Sequence, residues 1–174
     1  MKIVVILNNV RSNENVGSIF RTADAVGVSK IILVGYTPAP VDRFGRENKG
    51  LTKASLGAEK SVEWNKTENL SKAIESLKNC SFGSQLLHKS RFQNNSSALK
   101  VVAVEQDKKA IDYKKLKNIK TKKIVLVFGN EVEGLPKEDL EFCDIVAQIP
   151  MHGKKESLNV AVCAGVVLYS LITD

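Results

Sequence analysis

The stretch "KKIVLVFGNEVEGLP" (residues 122–136) changes abruptly from apolar residues to glycine and glutamate. Its run IVLVF is apolar at every position, which is typical of a parallel strand covered by helices on both faces. Gly129 lets the backbone approach a ligand closely, Gly134 permits a turn, and Pro136 is suited to begin a helix. We therefore expect a buried strand that ends in a binding loop carrying Glu131. Taken alone, the segment also fits an ordinary strand-to-helix turn with an acid on the surface.

The same alternation of apolar runs and helix-period segments continues on both sides of this stretch. Strands are predicted at 2–7, 30–35, 61–64, 99–105, 122–129 and 144–150, and helices near 15–26, 67–78 and 157–172, with a short helix after Pro136. This alternation predicts an α/β fold with a mostly parallel sheet and helices on both faces. A Ser- and Asn-rich segment near 79–98 is predicted to be a loop insertion in a single domain of residues 1–174.

The composition is that of one globular domain. The chain has 174 residues, 43% of them hydrophobic, which allows one core without resembling a membrane protein. The short apolar run at residues 2–7 predicts a strand and not a signal peptide. Cys80, Cys143 and Cys163 are far apart and form no C-x-x-C motif. This pattern favours reduced thiols in a cytoplasmic protein over a disulfide framework or a metal site.

The chain is basic, with 26 Lys and Arg against 19 Asp and Glu and a net charge of +7. A basic balance favours anionic partners, nucleic acid among them. Candidate RNA contacts lie in a lysine-rich run at 108–123 and in a predicted loop, and they are Lys114, Lys115, Lys117, Arg43 and Arg46. A solvated lysine face explains such a run equally well.

Two further segments follow predicted strands, where the ligand crevice of an open α/β sheet lies. In "NNVRSNENVGSIFRTADAVG" (8–27), Arg21 stands beside a helical apolar face, so its guanidinium must meet an anion or reach water. In "IPMHGKKESLNVAVCAGVVLY" (149–169), Ser157 suits an N-cap, whereas Asn159 lacks that role and is free to hold a ligand. No G-x-x-x-x-G-K-[ST] or G-x-G-x-x-G pattern is present, which argues against a nucleoside triphosphatase or an ordinary dinucleotide enzyme.

Together the three segments resemble, in order, the motifs of the SpoU-type ribose 2′-O-methyltransferases of the SPOUT superfamily. The resemblance implies a C-terminal trefoil knot, S-adenosylmethionine as the cofactor, and methyl transfer to a ribose 2′-hydroxyl of tRNA or rRNA. It also implies a homodimer in which Arg21 reaches the cofactor of the partner subunit. The last predicted helix is apolar nearly all round, which suits burial against both its own sheet and a second subunit.

The resemblance also implies roles for individual residues. The positions that match the family's functional set are Asn15, Arg21, Glu131, Ser157 and Asn159, and those that match its cofactor pocket are Gly129, Ile149, Leu158, Met151 and Glu105. Arg21 would contact an RNA phosphate or the developing alkoxide, or act as the general base. Two alternatives stay open, a methyltransferase of the same superfamily that acts on an RNA base and a non-catalytic RNA-binding relative.

Overall fold

Among residues 1–79 and 99–173, which the computed structural model describes, seven strands form one sheet. They are β1 (Lys2–Asn8), β2 (Lys30–Val34), β3 (Trp64–Thr67), β4 (Leu99–Val104), β5 (Ile111–Asp112), β6 (Lys123–Phe128) and β7 (Ile145–Gln148). Their order across the sheet is β3-β2-β1-β6-β4-β7-β5. Every neighbouring pair is parallel, which confirms the predicted fold class.

Helices cover both faces of this sheet, as the apolar strands predicted. They are α1 (Asn13–Val26), α2 (Lys49–Ser55), α3 (Ala58–Ser61), α4 (Leu70–Asn79), α5 (Lys137–Leu140) and α6 (Val160–Ser170), with a 3₁₀ helix at Tyr113–Asn118. Helices α1, α2, α3 and α6 and the 3₁₀ helix contribute to the core on one face, and α4 and α5 to the core on the other.

The central strands β1, β6 and β4 are apolar because both of their faces are buried. Val5, Leu126 and Val102 pair in register and point into the core beneath α1 and α6. Their neighbours Val4, Val125 and Val101 point to the opposite core, because side chains alternate along a strand. A strand buried on both faces must be apolar at every position, which is the pattern that the sequence shows.

The prediction for residues 36–67 was wrong in detail. The predicted long loop contains α2 and α3, and the strand predicted at 61–64 begins only at Trp64. Ser61 ends a helical turn in which the Val62 N–H donates to the Ala58 carbonyl. Pairing with β2 starts where Ile31 meets Trp64, so the strand is displaced toward the C-terminus.

Three further predictions concern the outline of the fold. The predicted insertion at 79–98 lies outside the described residues except for Asn79, which ends α4. The trefoil knot stays a prediction, because strand order alone does not define how loops thread. In the described part of the chain, no helix is both long and apolar enough to cross a membrane.

Candidate functional site

A cleft lies at the carboxyl ends of β4, β6 and β7, where an open α/β sheet is expected to bind its ligand. It encloses about 660 Å³, counting the space at its open mouth. All the residues predicted to form a cofactor pocket line it, and they are Glu105, Gly129, Ile149, Met151 and Leu158. Glu131 and Ser157 from the predicted functional set line it as well. Four separate segments of the chain therefore meet in one place.

The Glu131 carboxylate ties the loop after β6 to the start of α1. Its Oε1 accepts hydrogen bonds from the Asn15 Nδ2, at 2.9 Å, and from the Ser12 backbone N–H, at 3.1 Å. Its Oε2 accepts one from the Arg11 backbone N–H at 2.9 Å. One side chain thus satisfies two N–H groups that precede α1, which is how helix starts bind anions.

The pKa of Glu131 reflects this environment. Partial burial alone would raise it, but the hydrogen bonds from Arg11, Asn15 and Ser12 outweigh burial and hold the pKa below its usual 4.5. Glu131 is therefore ionised at neutral pH and accepts hydrogen bonds at both oxygens. A carboxylate in this state positions its neighbours and is a weak general base.

Asn159 extends the network from α1 to α6. Its Nδ2 donates to the Asn15 Oδ1 at 3.0 Å, while its own Oδ1 accepts from the backbone N–H groups of Ala161, at 2.9 Å, and Val162, at 3.3 Å. Asn159 is therefore the N-cap of α6, and the expectation that Ser157 fills this role was wrong. The cap lies two residues later because only Asn159 also has a polar partner on α1.

Glycine at 129 and 134 is required by close packing of the loop after β6. A Cβ at Gly129 would lie 2.5 Å from the Gly134 backbone carbon. Gly134 has a φ of +68°, and a Cβ there would lie 2.4 Å from the Glu105 Oε2. That oxygen accepts a hydrogen bond from the Leu135 N–H at 2.9 Å, so the carboxylate is held in the turn.

Among the lining residues that the sequence patterns did not single out are Gln106, Asn130 and Cys163. Gln106 donates from Nε2 to the Ile149 carbonyl at 2.8 Å and so joins the ends of β4 and β7. Asn130 donates to the Asn9 carbonyl, at 3.1 Å, and to the Tyr36 hydroxyl, at 2.7 Å. Burial and the nearby Glu105 carboxylate raise the pKa of Cys163 to about 11, so its thiol is neutral and unsuited to act as a nucleophile. Gln106 and Asn130 could have been predicted from the sequence, because each is an amide side chain that closely follows the end of a strand.

Arg21 is not part of the cleft of its own chain. It lies on the exposed side of α1, nearly two turns after Asn15. Within the described residues its side chain forms no hydrogen bond or ion pair. The guanidinium is therefore available to an anion from outside the subunit.

The predicted RNA contacts occupy two exposed segments. Lys114, Lys115 and Lys117 surround the buried Leu116 on the 3₁₀ helix. Arg43 and Arg46 lie on a short hairpin, residues 41–47, which is closed by antiparallel pairing of Val41 with Glu47. The sequence pattern predicted only a loop there.

The cleft and the chain as a whole have opposite charge. The side chains that line the cleft in the described residues include the carboxylates of Glu105 and Glu131 and no lysine or arginine. The whole chain carries a net charge of +7. Such a lining favours a ligand with positive charge and opposes the phosphates of a nucleotide.

These observations define a class of protein, the parallel α/β proteins whose candidate ligand site lies where loops from several strands meet. The chain belongs to the SpoU rRNA methylase family, whose model matches residues 2–169. It is 31% identical over 167 residues to a tRNA (guanosine(18)-2′-O)-methyltransferase of Aquifex aeolicus, an alignment that covers 96% of this chain and 67% of that protein.

Two further similar proteins are also described as RNA methyltransferases. A Staphylococcus aureus protein assigned to the TrmH family of tRNA/rRNA methyltransferases is 31% identical, over 97% of this chain and 57% of that protein. The crystal structure of an AdoMet-bound rRNA methyltransferase from Sinorhizobium meliloti superposes with a TM-score of 0.77 at 29% identity, over 98% of this chain and 55% of that one. The chain thus spans between about half and two thirds of the length of these relatives.

Proposed function

We propose that the chain transfers a methyl group from S-adenosylmethionine to a ribose 2′-hydroxyl of tRNA or rRNA. The observation that carries the proposal is the hydrogen-bonded series Glu131–Asn15–Asn159, which joins the three motif segments at the mouth of an acidic cleft. Family membership supports an RNA methyltransferase, and the relative from Aquifex aeolicus acts on a ribose 2′-oxygen by its name. A cytoplasmic location fits an enzyme of tRNA or rRNA.

The lining of the cleft fits this cofactor. S-adenosylmethionine combines a sulfonium and an ammonium group with one carboxylate, so it carries a net positive charge that Glu105 and Glu131 complement. The apolar side chains of Ile149, Leu158 and Val160 offer a surface for the adenine ring. When bound, the cofactor supplies an electrophilic methyl group.

The residues of the chain would perform three tasks. Glu131, fixed by three donors, holds the start of α1 against the loop after β6. Asn15 and Asn159 keep α1 and α6 in register, which aligns the two helices that flank the acceptor. Arg21 contacts the RNA phosphate, which a guanidinium can bind bidentately, or donates a hydrogen bond to the 2′-oxygen as negative charge develops on it.

We also propose that the site is shared between two subunits. Arg21 is exposed and does not line the cleft of its own chain, and α6 presents exposed apolar side chains, with Val162 and Tyr169 exposed by 53% and 46%. Ile172, just after the helix, is exposed by 49%. A solvent-facing apolar stripe on the helix that borders the cleft is suited to pack against a second copy.

The chemical test is methyl transfer to unmodified tRNA and rRNA transcripts with methyl-labelled S-adenosylmethionine. Methylation of the 2′-hydroxyl removes the nucleophile that cleaves RNA in alkali, so the labelled nucleotide should resist alkaline hydrolysis as a dinucleotide. Label in an alkali-sensitive mononucleotide would identify an enzyme that acts on a base. Cofactor binding without transfer to any transcript would identify a non-catalytic relative.

A further inference from the structure

The hairpin at residues 41–47 carries an aromatic side chain that the proposed chemistry does not use. Phe44 stands at its tip with 67% of its surface exposed. The Arg43 guanidinium carbon lies 4.7 Å from the centre of the ring, and that of Arg46 lies 5.2 Å from it. The exposed tip of the hairpin therefore presents one aromatic ring together with two guanidinium groups, and such a combination is suited to cation–π contacts and to stacking on a flat ligand.

Hydrogen bonds to the Asp42 carboxylate hold the hairpin in its conformation. The Asp42 Oδ1 accepts hydrogen bonds from the backbone N–H groups of Phe44, at 2.8 Å, and Arg46, at 3.0 Å. The Asp42 Oδ2 accepts one from the Arg46 Nε at 2.7 Å, and Gly45 completes the turn with a φ of +76°. These bonds hold the pKa of Asp42 below its usual 3.8, with the Arg46 backbone N–H as the main cause.

The base of the hairpin is hydrogen-bonded to the first residue of α1. Asn48, the residue after the hairpin, donates from Nδ2 to the Asn13 Oδ1 at 2.7 Å. Asn13 is the first residue of α1 and follows Ser12, whose backbone N–H donates to Glu131. The hairpin is therefore anchored beside the start of α1, the segment that is also hydrogen-bonded to Glu131.

We infer that Phe44 stacks on an unpaired base of the RNA substrate, near the nucleotide that is methylated. This inference rests on the proposed function in taking RNA as the substrate. Aromatic rings and guanidinium planes are the side chains on which unpaired bases stack, whereas duplex bases are already stacked on each other. The hairpin presents both kinds of group at one point.

The two arginines have different tasks in this arrangement. Arg46 is fixed to Asp42 by an ion pair, so it stays beside the ring. The contact that the structure shows for Arg43 is with the ring itself. Arg43 is therefore free to move to a backbone phosphate, which uncovers ring surface for the base.

The test is binding of two probes, a short oligouridylate and an RNA duplex of equal length, without S-adenosylmethionine. Phe44→Ala and Phe44→Leu should each weaken oligouridylate binding about fivefold or more, since stacking on one base is lost. Phe44→Tyr should bind as the unchanged chain does, and duplex binding should be the same for all variants. Phe142→Ala, which removes another exposed phenylalanine after α5, is the matched control.

Two results would overturn the inference. Equal oligouridylate affinity for Phe44→Leu and the unchanged chain would show that the ring does not stack. Equal losses for oligouridylate and duplex would show that the ring only positions the two arginines, because these substitutions leave the charge of the hairpin unchanged. If the first result extends to every Phe44 variant and to the duplex, the tip contacts a protein partner instead. A Phe44→Trp variant adds a direct signal, because its fluorescence, above that of Trp64, should be quenched by oligouridylate. These measurements need no turnover, so they decide the role of Phe44 even if methyl transfer is not found.

Discussion

Glu105 and Glu131 place two carboxylates in the cleft, while the hairpin at 41–47 and the 3₁₀ helix, which do not line it, expose arginines and lysines. The acidic region is assembled from residues far apart in sequence and fixed by hydrogen bonds to the backbone. The basic region consists of short local segments, the hairpin at 41–47 and the 3₁₀ helix, whose lysines and arginines are exposed. This difference teaches that a cationic cofactor and an anionic RNA can be bound side by side when their charges are met by separate parts of the fold.

Substitution of Arg21 is expected to have the largest effect on the rate of methyl transfer. Arg21 lies on the exposed side of α1, outside the acidic cleft, yet it is proposed to stabilise the reacting oxygen. Arg21→Ala should lower the single-turnover rate of methyl transfer about 100- to 1,000-fold, the usual effect of removing one donor to a developing oxyanion. S-adenosylmethionine affinity, measured by calorimetry, should stay within about twofold. A large loss of cofactor affinity would place Arg21 in the acidic region and break the comparison.

Mixing two inactive variants tests whether Arg21 acts in the cleft of its own subunit or in that of a partner subunit. Asn159→Ala should also be inactive, since it removes both the cap of α6 and the bond to Asn15. Mixed dimers of the Arg21→Ala and Asn159→Ala chains should regain part of the activity, because one of their two sites contains both intact residues. No recovery, with subunit exchange confirmed by mass spectrometry, would contradict a shared site.

Glu131→Gln tests the acidic region itself, and we expect it to lower both the stability of the fold and the affinity for the cofactor. An amide keeps the shape but turns an N–H donor toward the backbone N–H groups of Arg11 or Ser12. We expect the free energy of unfolding to fall by about 1–2 kcal/mol, at the low end for a charged acceptor because the site is partly exposed. Cofactor affinity should fall as well. Glu133→Gln, an exposed neighbour, should change neither quantity.

The pH dependence of this effect has a definite sign. Because the pKa of Glu131 is lower in the folded chain than its usual 4.5, the carboxylate stabilises the fold above that pH. The stabilisation is lost as the pH falls through the lower, folded-state value. Urea unfolding of the two chains should therefore differ at pH 7 and converge in the acid range below about pH 4.5. A difference that persists there would assign the effect to shape and not to charge.

The smallest effect is expected in the basic region. Replacing Lys114, Lys115 and Lys117 by Gln should reduce the slope of log affinity against log salt by about 2–3 for RNA, because three phosphate contacts are lost. Cofactor affinity should not change. A charge-matched control replaces Lys60, Lys72 and Lys78, which are exposed on α3 and α4. An equal loss in the control would mean that total charge, and not the 3₁₀ helix, attracts RNA.

The sequence predicted the parallel sheet and the cleft because both follow from local patterns. Continuous apolar runs indicate strands buried on two faces, and the carboxyl ends of parallel strands meet at one edge. The short helices α2 and α3 escaped prediction, since seven and four residues give too few turns for a periodic pattern. Their starts depend on partners, as Asn48 contacts Asn13.

The role of Asn159 shows the same limit within the site. Serine and asparagine cap helices about equally well, so the sequence could not choose between Ser157 and Asn159. The choice depends on Asn15, which is distant in sequence and supplies the second partner of the Asn159 amide. Gln106 was missed for a similar reason, since its contact with Ile149 depends on how β4 and β7 pair.

The bond between Asn15 and Asn159 joins residues 144 positions apart, and that between Asn15 and Glu131 spans 116. Contacts so distant form late in folding, because long loops must close before they are made. During synthesis, α1 leaves the ribosome well before the cap of α6 exists, so a nascent chain has no complete cleft. Binding of S-adenosylmethionine would then stabilise only chains whose last helix is in place. The cofactor would in this way select chains in which α1, the loop after β6 and α6 have come together.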